Sequence, residues 1–379
     1  MPNKTLLYVI NVDWYFQSHW LQRAQAARQA GYRVIVLAHF SSPELKRSFE
    51  AQELECINLD ISRSGLNPIG ECRTVMGLYR AVRRIRPDLI QTITIKPNLY
   101  AGLIAKLLRI PTISAITGLG ILFSSETLTH KTIRFWVEKM YRYIYARPAC
   151  KVLFQNVDDR RRFVADRVVQ EQQTVVIPGS GVDLTQYAFE PELDNRPPVV
   201  LFGARLLRDK GLSTLIEAGR LLSAARGSDF TLEVAGILDP SVPTAIPERQ
   251  LLEWHDSGLI DWLGRRYDMP ALIARSNIVC LPTFYGEGIP RILIEAAACG
   301  RACVATDIPG CREIVVHEKN GLLVPVHDSE ALAAALQTLI EAPSMRQRMG
   351  QCGRKMVEHR FSLERIVEQT LAVYRELAA

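Results

Sequence analysis

The stretch YGEGIPRILIEAAACG, residues 285–300, places Glu287 between two glycines and Glu295 deep in an apolar run. A strand-like segment ends near Leu281, a loop carries Gly286 and Gly288, and Pro290 suits the first position of a helix. Gly300 stands at C′, where a left-handed residue closes a helix. The start of such a helix offers unpaired N–H groups and a partial positive charge, which attract phosphate. A carboxylate beside an anion site is a contradiction unless the ligand also brings hydroxyl donors. A nucleotide sugar brings both: its diphosphate suits the helix start, and its sugar and ribose hydroxyls donate to carboxylates. Ile292, Leu293, Ile294, Ala296 and Ala297 surround Glu295, which argues against a solvated glutamate. Arg205 and Lys210, in GARLLRDKG (203–211), fall at another strand–loop–helix junction, where cations meet phosphate better than they decorate a surface. Gly264 and Arg265 follow a third strand end and are candidates for a base pocket.

Such loops need strand ends to hold them. TLLYVI, RVIVLA, DLIQTI, PTISAI and KVLFQ recur in the first half with helical patterns between them. VVLFG, FTLEVAG, GLIDWLG, NIVCLP and ACVATD repeat the alternation in the second. This is the pattern of a parallel sheet covered by helices on both faces, met twice. Two doubly wound α/β domains are expected, over 1–187 and 199–360, joined by a proline- and acid-rich linker over 188–198. Residues 361–379 read as a helix with a stripe of Ile366, Leu371 and Tyr374, which packs on its own domain or crosses back to the first.

The 379 residues suffice for two cores, and mean hydropathy near zero is that of a folded protein. The eight cysteines form no C-x-x-C pair and lack histidines at zinc-ligand spacing, so neither a disulfide framework nor a structural zinc is expected. MPNKTLLYVI reads directly into a strand without the pattern of a signal peptide, and Lys106, Arg109 and Pro111 interrupt the most apolar long stretch. The expectation is a cytoplasmic chain. Residues 1–195 hold 25 Lys/Arg against 18 Asp/Glu, whereas the remainder holds 21 against 22. The basic half should therefore meet something anionic. HKTIRFWVEKMYRYIYAR (130–147) combines an apolar stripe at helical spacing with Lys131, Arg134, Lys139 and Arg142, which suits anionic headgroups as well as a helix joined to a core. A nucleic-acid partner is not expected, since no RNA motif or concentrated basic tract is present.

EGIPRILIE (287–295) matches the E-x7-E motif of the retaining GT-B glycosyltransferases called group 1 or family 4, and the chain resembles that family over nearly its whole length. Similar segments are TIKPNLY (94–100), TGLG (117–120), FQNVDD (154–159), IPGSGVDL (177–184), GARLLRDKG, WLGRRYDMP (262–270), EAAACGR (295–301) and DIPGCREIV (307–315). The nearest likeness is to bacterial enzymes of O-antigen, capsule and lipid-linked oligosaccharide assembly. The resemblance implies a GT-B fold, two Rossmann-like domains facing across a cleft. It implies that Arg205 and Lys210 neutralise the donor diphosphate, that Glu295 holds the ribose diol, and that Glu287 stands beside the transferred sugar. These three, Arg205, Lys210 and Glu287, would carry catalysis, with Gly288, Ile289, Pro290 and Arg291 completing the donor site. No D-x-D sequence occurs, which fits leaving-group stabilisation by fixed cations and a helix end, with neither metal nor cofactor. Some members carry Arg at the places of Trp20 and Gly286, and Lys at that of Arg291, so sugar specificity does not transfer.

In GT-B enzymes the first domain binds the acceptor. Its candidates here are Asp13 and His19 in NVDWYFQSHW (11–20), Lys96 in a loop beyond a strand, and Gly118 of TGLG. The expected activity is transfer of a sugar with retention, from a UDP-linked hexose or N-acetylhexosamine to a lipid-diphosphate-linked saccharide. The expected setting is the inner face of the cytoplasmic membrane, with the enzyme peripheral to it. A nucleotide-sugar epimerase of the same architecture and a non-catalytic nucleotide-binding subunit of a membrane complex are the alternatives.

Overall fold

Parallel pairing of short, doubly buried strands organises both halves of the chain. The computed structural model describes residues 4–59, 68–124, 127–193, 197–226, 230–240 and 242–378. It divides into two compact units, Met1–Ser180 with Glu364–Ala379, and Gly181–Leu363. Among the described residues the first unit contains β1 (Thr5–Val9), β2 (Arg33–Ala38), β3 (Glu55–Asn58), β4 (Leu89–Ile93), β5 (Thr112–Ile116), β6 (Cys150–Phe154) and β7 (Thr174–Val176). They form one parallel sheet in the order β3-β2-β1-β4-β5-β6-β7. The second unit contains β8 (Val199–Gly203), β9 (Thr231–Ala235), β10 (Asp261–Gly264), β11 (Ile278–Leu281), β12 (Ala302–Thr306) and β13 (Gly321–Val324), in the order β10-β9-β8-β11-β12-β13. The fold is therefore α/β with two Rossmann-like parallel sheets.

Successive strand residues point to opposite faces, and both faces are covered. In β1, Leu7 and Val9 pack with Leu78, Val82, Ala101 and Ile104 of covering helices, whereas Leu6 and Tyr8 pack with Phe16, Trp20 and Ala24 on the other face. The C-terminal helix Leu363–Ala378 joins that second face through Ile366, Val373, Tyr374 and Ala378. The Tyr374 and Tyr8 hydroxyls, both buried, share a hydrogen bond of 2.9 Å. The chain thus enters and leaves the second unit once each, at 180/181 and 363/364, and not at 187 and 360. Within the second unit Val182 N–H donates to Phe361 O at 3.0 Å and Leu363 N–H donates to Val182 O at 3.0 Å, so the two connections are fastened together.

The segment expected as a linker over 188–198 belongs to the second unit, and its residues 194–196 lie outside those described. Its described part is fastened there. Buried Arg301 donates to Glu190 O at 3.0 Å. Glu192 accepts from Arg346 at 2.5 Å and from Asn277 Nδ2 at 2.7 Å. Among the described residues no helix is long and apolar enough to cross a membrane.

Replacing Glu192 by Ala leaves the Arg346 guanidinium buried without its carboxylate, and loss of one member of a buried pair costs about 3–5 kcal/mol. Glu192→Ala should unfold at markedly lower denaturant concentration than the parent; an unchanged midpoint would show that the segment is a passive tether.

Candidate active site

Both sheets change direction once, β1 and β8 each lying between strands that precede and follow in opposite senses. Ligands of open α/β sheets bind outside the carboxyl ends of strands at such a point. In the second unit the loop after β8 carries Arg205 and Lys210, and the loop after neighbouring β11 carries Glu287. Lys210 Nζ lies 2.6 Å from Glu287 Oε1, and both side chains are largely buried. The same ammonium sits 4.8 Å from the centre of the Tyr285 ring.

Close backbone packing holds these loops in place. Gly211 follows Lys210 with φ +81°, and a Cβ there would stand 2.0 Å from Pro282 O. A Cβ at Gly310 would stand 2.3 Å from Gly288 O and 2.8 Å from Glu287 O. Only glycine lets the three loops approach this closely.

The helix after this loop spans Arg291–Ala298, one residue later than the sequence suggests, with Pro290 as its N-cap at φ −63°. Its far end closes as expected: Gly300 has φ +76°, with Gly300 N–H donating to Ala297 O and Arg301 N–H to Ala296 O. Glu295 is buried, and its Oε1 accepts from Arg291 Nε at 2.6 Å. Burial pulls the Arg291 guanidinium down, and the charges of Glu295 and Tyr187 with the hydrogen bonds to both together outweigh it, leaving it raised. The Tyr187 hydroxyl also bonds Glu295, and burial first, then the Glu295 charge, pushes it far above the phenolic range.

Arg205, Arg291, Ile292 and Glu295 line a pocket of about 240 Å³, closed by Gly236, Ile237, Arg266 and Met269. Gly236 brings the loop after β9 against the loop after β8, since a Cβ there would stand 2.4 Å from Ala204 O. Gly264 ends β10 with φ +66°; Arg265 is exposed, its guanidinium 4.8 Å from the Tyr267 ring centre. Arg266, not Arg265, reaches the pocket wall, while also pairing with Asp268 at 2.6 Å. Gly288 and Ile289 complete the loop into the helix, Ile289 buried in the core. Arg266, Met269 and Tyr187 are absent from the sequence reading; the WLGRRYDMP loop marks the first two, and nothing local marks Tyr187. Chemically, two cations and a helix start can take a diphosphate, with carboxylates left for hydroxyls.

In the first unit the switch lies between β1 and β4, where Thr94 Oγ1 donates to Asn11 Oδ1 at 2.8 Å. Thr94 has φ +75°, a strained conformation for a residue with a side chain. Asp13 opens the helix Asp13–His19, and its buried carboxylate accepts from Ser41 N–H at 2.5 Å, Ser41 Oγ at 2.8 Å and Trp14 N–H at 2.7 Å. His19 stacks on Tyr15 at 4.1 Å, and its Nδ1 meets Ser18 Oγ at 2.6 Å. Lys96 stands in the first turn of the helix Ile95–Leu107, not in a loop, because Pro97 falls where a missing N–H is harmless. Its Nζ lies 2.6 Å from Glu71, whose other oxygen accepts from Tyr100. Gly118, at φ +122°, turns the chain after β5.

The stretch 130–147 lies mostly within the helix Leu128–Tyr145. Val137, Tyr141 and Ile144 join the core, but Leu128, Phe135, Trp136, Met140 and Tyr143 remain exposed. Lys139 lies 4.7 Å from the Phe135 ring centre and 5.7 Å from that of Trp136.

Comparison with known proteins agrees with this architecture. The family described as "Glycosyl transferases group 1" matches residues 184–356, and "Glycosyl transferase 4-like" matches residues 5–156. The N,N'-diacetylbacillosaminyl-diphospho-undecaprenol alpha-1,3-N-acetylgalactosaminyltransferase of Campylobacter jejuni is 27% identical over 77% of this chain and 78% of its own. The capsular polysaccharide biosynthesis glycosyltransferase CapM of Staphylococcus aureus is 28% identical over 46% of this chain and 45% of its own. The structure of Anabaena HepE in complex with UDP superposes with a TM-score of 0.76 at 19% identity, covering 99% of this chain and 100% of that one. The neighbouring structures share the GT-B fold, and the chain belongs to the glycosyltransferases whose two regions are the family 4-like and group 1 domains.

Proposed function

We propose that this glycosyltransferase moves a hexose or N-acetylhexosamine from a UDP-linked donor to a lipid-diphosphate-linked saccharide, with retention at the anomeric carbon and without a metal, for a bacterial surface polysaccharide or glycan such as O-antigen. The observation that carries the reading is the Lys210–Glu287 pair beside the Arg205–Glu295 pocket, at the β8/β11 switch point.

When the donor arrives, its diphosphate competes for Lys210 and frees the Glu287 carboxylate to face the sugar. Arg205, Lys210 and the start of the helix Arg291–Ala298 then meet the charge that builds on the leaving nucleoside diphosphate as the glycosidic bond breaks. Glu295 takes the ribose hydroxyls once Arg291 turns from it. The acceptor hydroxyl attacks the same face that the diphosphate leaves, so an α-linked donor gives an α-linked product. Its proton passes to a departing phosphate oxygen. Arg266 and the Gly264–Arg265 turn border the base. Asp13, His19, Lys96 and Gly118, around or near the β1/β4 end of the first unit, are the acceptor's contacts.

The acceptor class draws support from the Campylobacter relative, whose name specifies an undecaprenol-diphosphate saccharide. The exposed aromatic and basic residues of the helix Leu128–Tyr145 support a peripheral place on the inner face of the cytoplasmic membrane.

A panel of nucleotide sugars offered with short undecaprenol-diphosphate saccharides, followed by NMR of the new linkage, tests the whole reading. An inverted linkage, or epimerised donor without transfer, would overturn it. Lys210→Ala should lower kcat/KM by about 10²–10³, the usual cost of losing one group that stabilises transition-state charge. Glu287→Gln should lower kcat far more than it changes donor KM, and unaltered turnover would remove Glu287 from the reacting site. Replacing Lys131 and Lys139 by Glu should weaken sedimentation with phosphatidylglycerol vesicles by roughly tenfold or more, at about 1 kcal/mol per basic residue, and leave transfer to a soluble acceptor analogue intact. Equal sedimentation would place the membrane contact elsewhere.

A further inference from the structure

Asp209 stands in the short turn Arg208–Lys210 between the two cations of the site, and no role described above uses it. The residue is 6% exposed, and among the described residues neither carboxylate oxygen meets a hydrogen-bond donor of another residue, its own main-chain N–H being the one donor that acts on it. Its main chain fixes it there: Asp209 O accepts from Phe284 N–H at 3.0 Å and from Thr283 Oγ1 at 3.1 Å, and Gly211 behind it is packed against Pro282. The main chain of Asp209 is thus held between the β8 and β11 loops, with the side chain buried.

The charged groups that face it come from each neighbouring loop. Arg205 and Lys210 of its own loop favour the ionised carboxylate, and Glu287 from the β11 loop opposes it. Cys311, which feels both Glu287 and Lys210, is held neutral by burial, and the His327 ring lies tilted against the Phe284 ring, their centres 4.2 Å apart. Burial is the dominant influence and pushes the Asp209 carboxyl above the usual aspartate range. Two carboxylates thus share two cations with little water. A buried carboxylate without donors stays charged only while cations compensate it. A diphosphate brings two further negative charges to those same cations.

We infer that Asp209 takes up one proton from solvent as the donor's diphosphate binds and returns it when the diphosphate leaves. No covalent bond other than the carboxyl O–H forms or breaks. Asp209 is then a positioning residue: ionised, it compensates Lys210 and Arg205 in the empty site; neutral, it yields them to phosphate. The sign follows from linkage. Ligand binding raises the carboxyl's proton affinity, so affinity is greatest below its value in the free protein and falls as pH rises towards its value in the complex. The inference rests on the donor-site reading.

Isothermal titration of the full chain with UDP, in PIPES and in imidazole at matched pH, counts the protons taken up. A UDP-hexose, whose diphosphate has no group that ionises near neutral pH, must give the same difference between the parent and Asp209→Asn as UDP does, which isolates the carboxyl. The parent should take up close to one proton more, and its Kd should rise relative to that of the variant by up to about tenfold per pH unit. Glu287→Gln should keep the extra proton. Equal counts in the parent and Asp209→Asn, or loss of the proton in Glu287→Gln with retention in Asp209→Asn, would overturn the inference. Should Asp209→Asn fail to fold, the infrared difference spectrum of the parent on adding UDP must gain a protonated carboxyl stretch, and its absence is equally decisive. UDP binding to neither protein would instead remove the donor site itself.

Discussion

The buried pair of Lys210 and Glu287 is the interaction on which the site depends, because it brings opposite charges together from two loops far apart in sequence. The loops meet because β8 and β11, distant along the chain, are neighbours in the sheet. Two buried opposite charges offset each other's desolvation only at close range. Gly211 lets the β8 loop lie on Pro282 of the β11 loop, and Gly310 lets the β12 loop back the Glu287–Gly288 main chain. The glycines, the pair and the strand order are thus one constraint. A side chain at either glycine would push the loops apart and leave both charges poorly compensated.

The first unit repeats the topology with different chemistry at the equivalent point. There Asn11, Thr94 and the Asp13–Ser41 contacts form a neutral or self-satisfied polar edge, and Lys96, in the first turn of the helix after β4, is paired with Glu71. At the corresponding point of the second unit two cations, Arg205 and Lys210, stand on one loop. Strain at Thr94 sits where the first sheet changes direction, a place where a backbone cost is tolerated for the position it gives the side chain.

The strands buried on both faces were legible in sequence as continuous apolar runs, and so were the Gly300 helix closure and the grouping of Glu287, Glu295, Arg205 and Lys210 at strand ends. What escaped has a physical reason in each case. β3, β7 and β13 are sheet edges; β3 and β7 are only partly buried, and β13 is four residues long, so their apolar signal is weak. The segment around Glu192 looks like a tether because its proline and acids are read without their partners; Arg346 and Arg301 lie more than a hundred residues away. The pairing of Lys210 with Glu287 and the isolation of Asp209 are properties of three dimensions, whereas Arg291 and Glu295 pair at the i,i+4 spacing of one helix. In the sequence these residues are two acids, two bases and an aspartate in a turn.

Net charge proves a poor guide to where anion chemistry resides. The surplus of Lys and Arg lies in the first 195 residues, yet Arg205 and Lys210 at the β8/β11 switch point belong to the half whose charges nearly cancel. Much of the surplus is exposed. Arg73, Arg80, Arg83 and Arg84 line the outer side of the helix Pro68–Ile85, which packs beside Ile95–Leu107, itself beside Leu128–Tyr145 with Lys131 and Lys139. Exposed charges act at a distance and are screened by salt, so they can gather an enzyme to a charged surface without choosing a substrate. Buried charges choose, because each must be matched by the ligand or by a neighbour. On the proposed function, attraction to an anionic surface would be written in the composition of the first half, whereas diphosphate recognition would rest on Arg205 and Lys210, which composition cannot register.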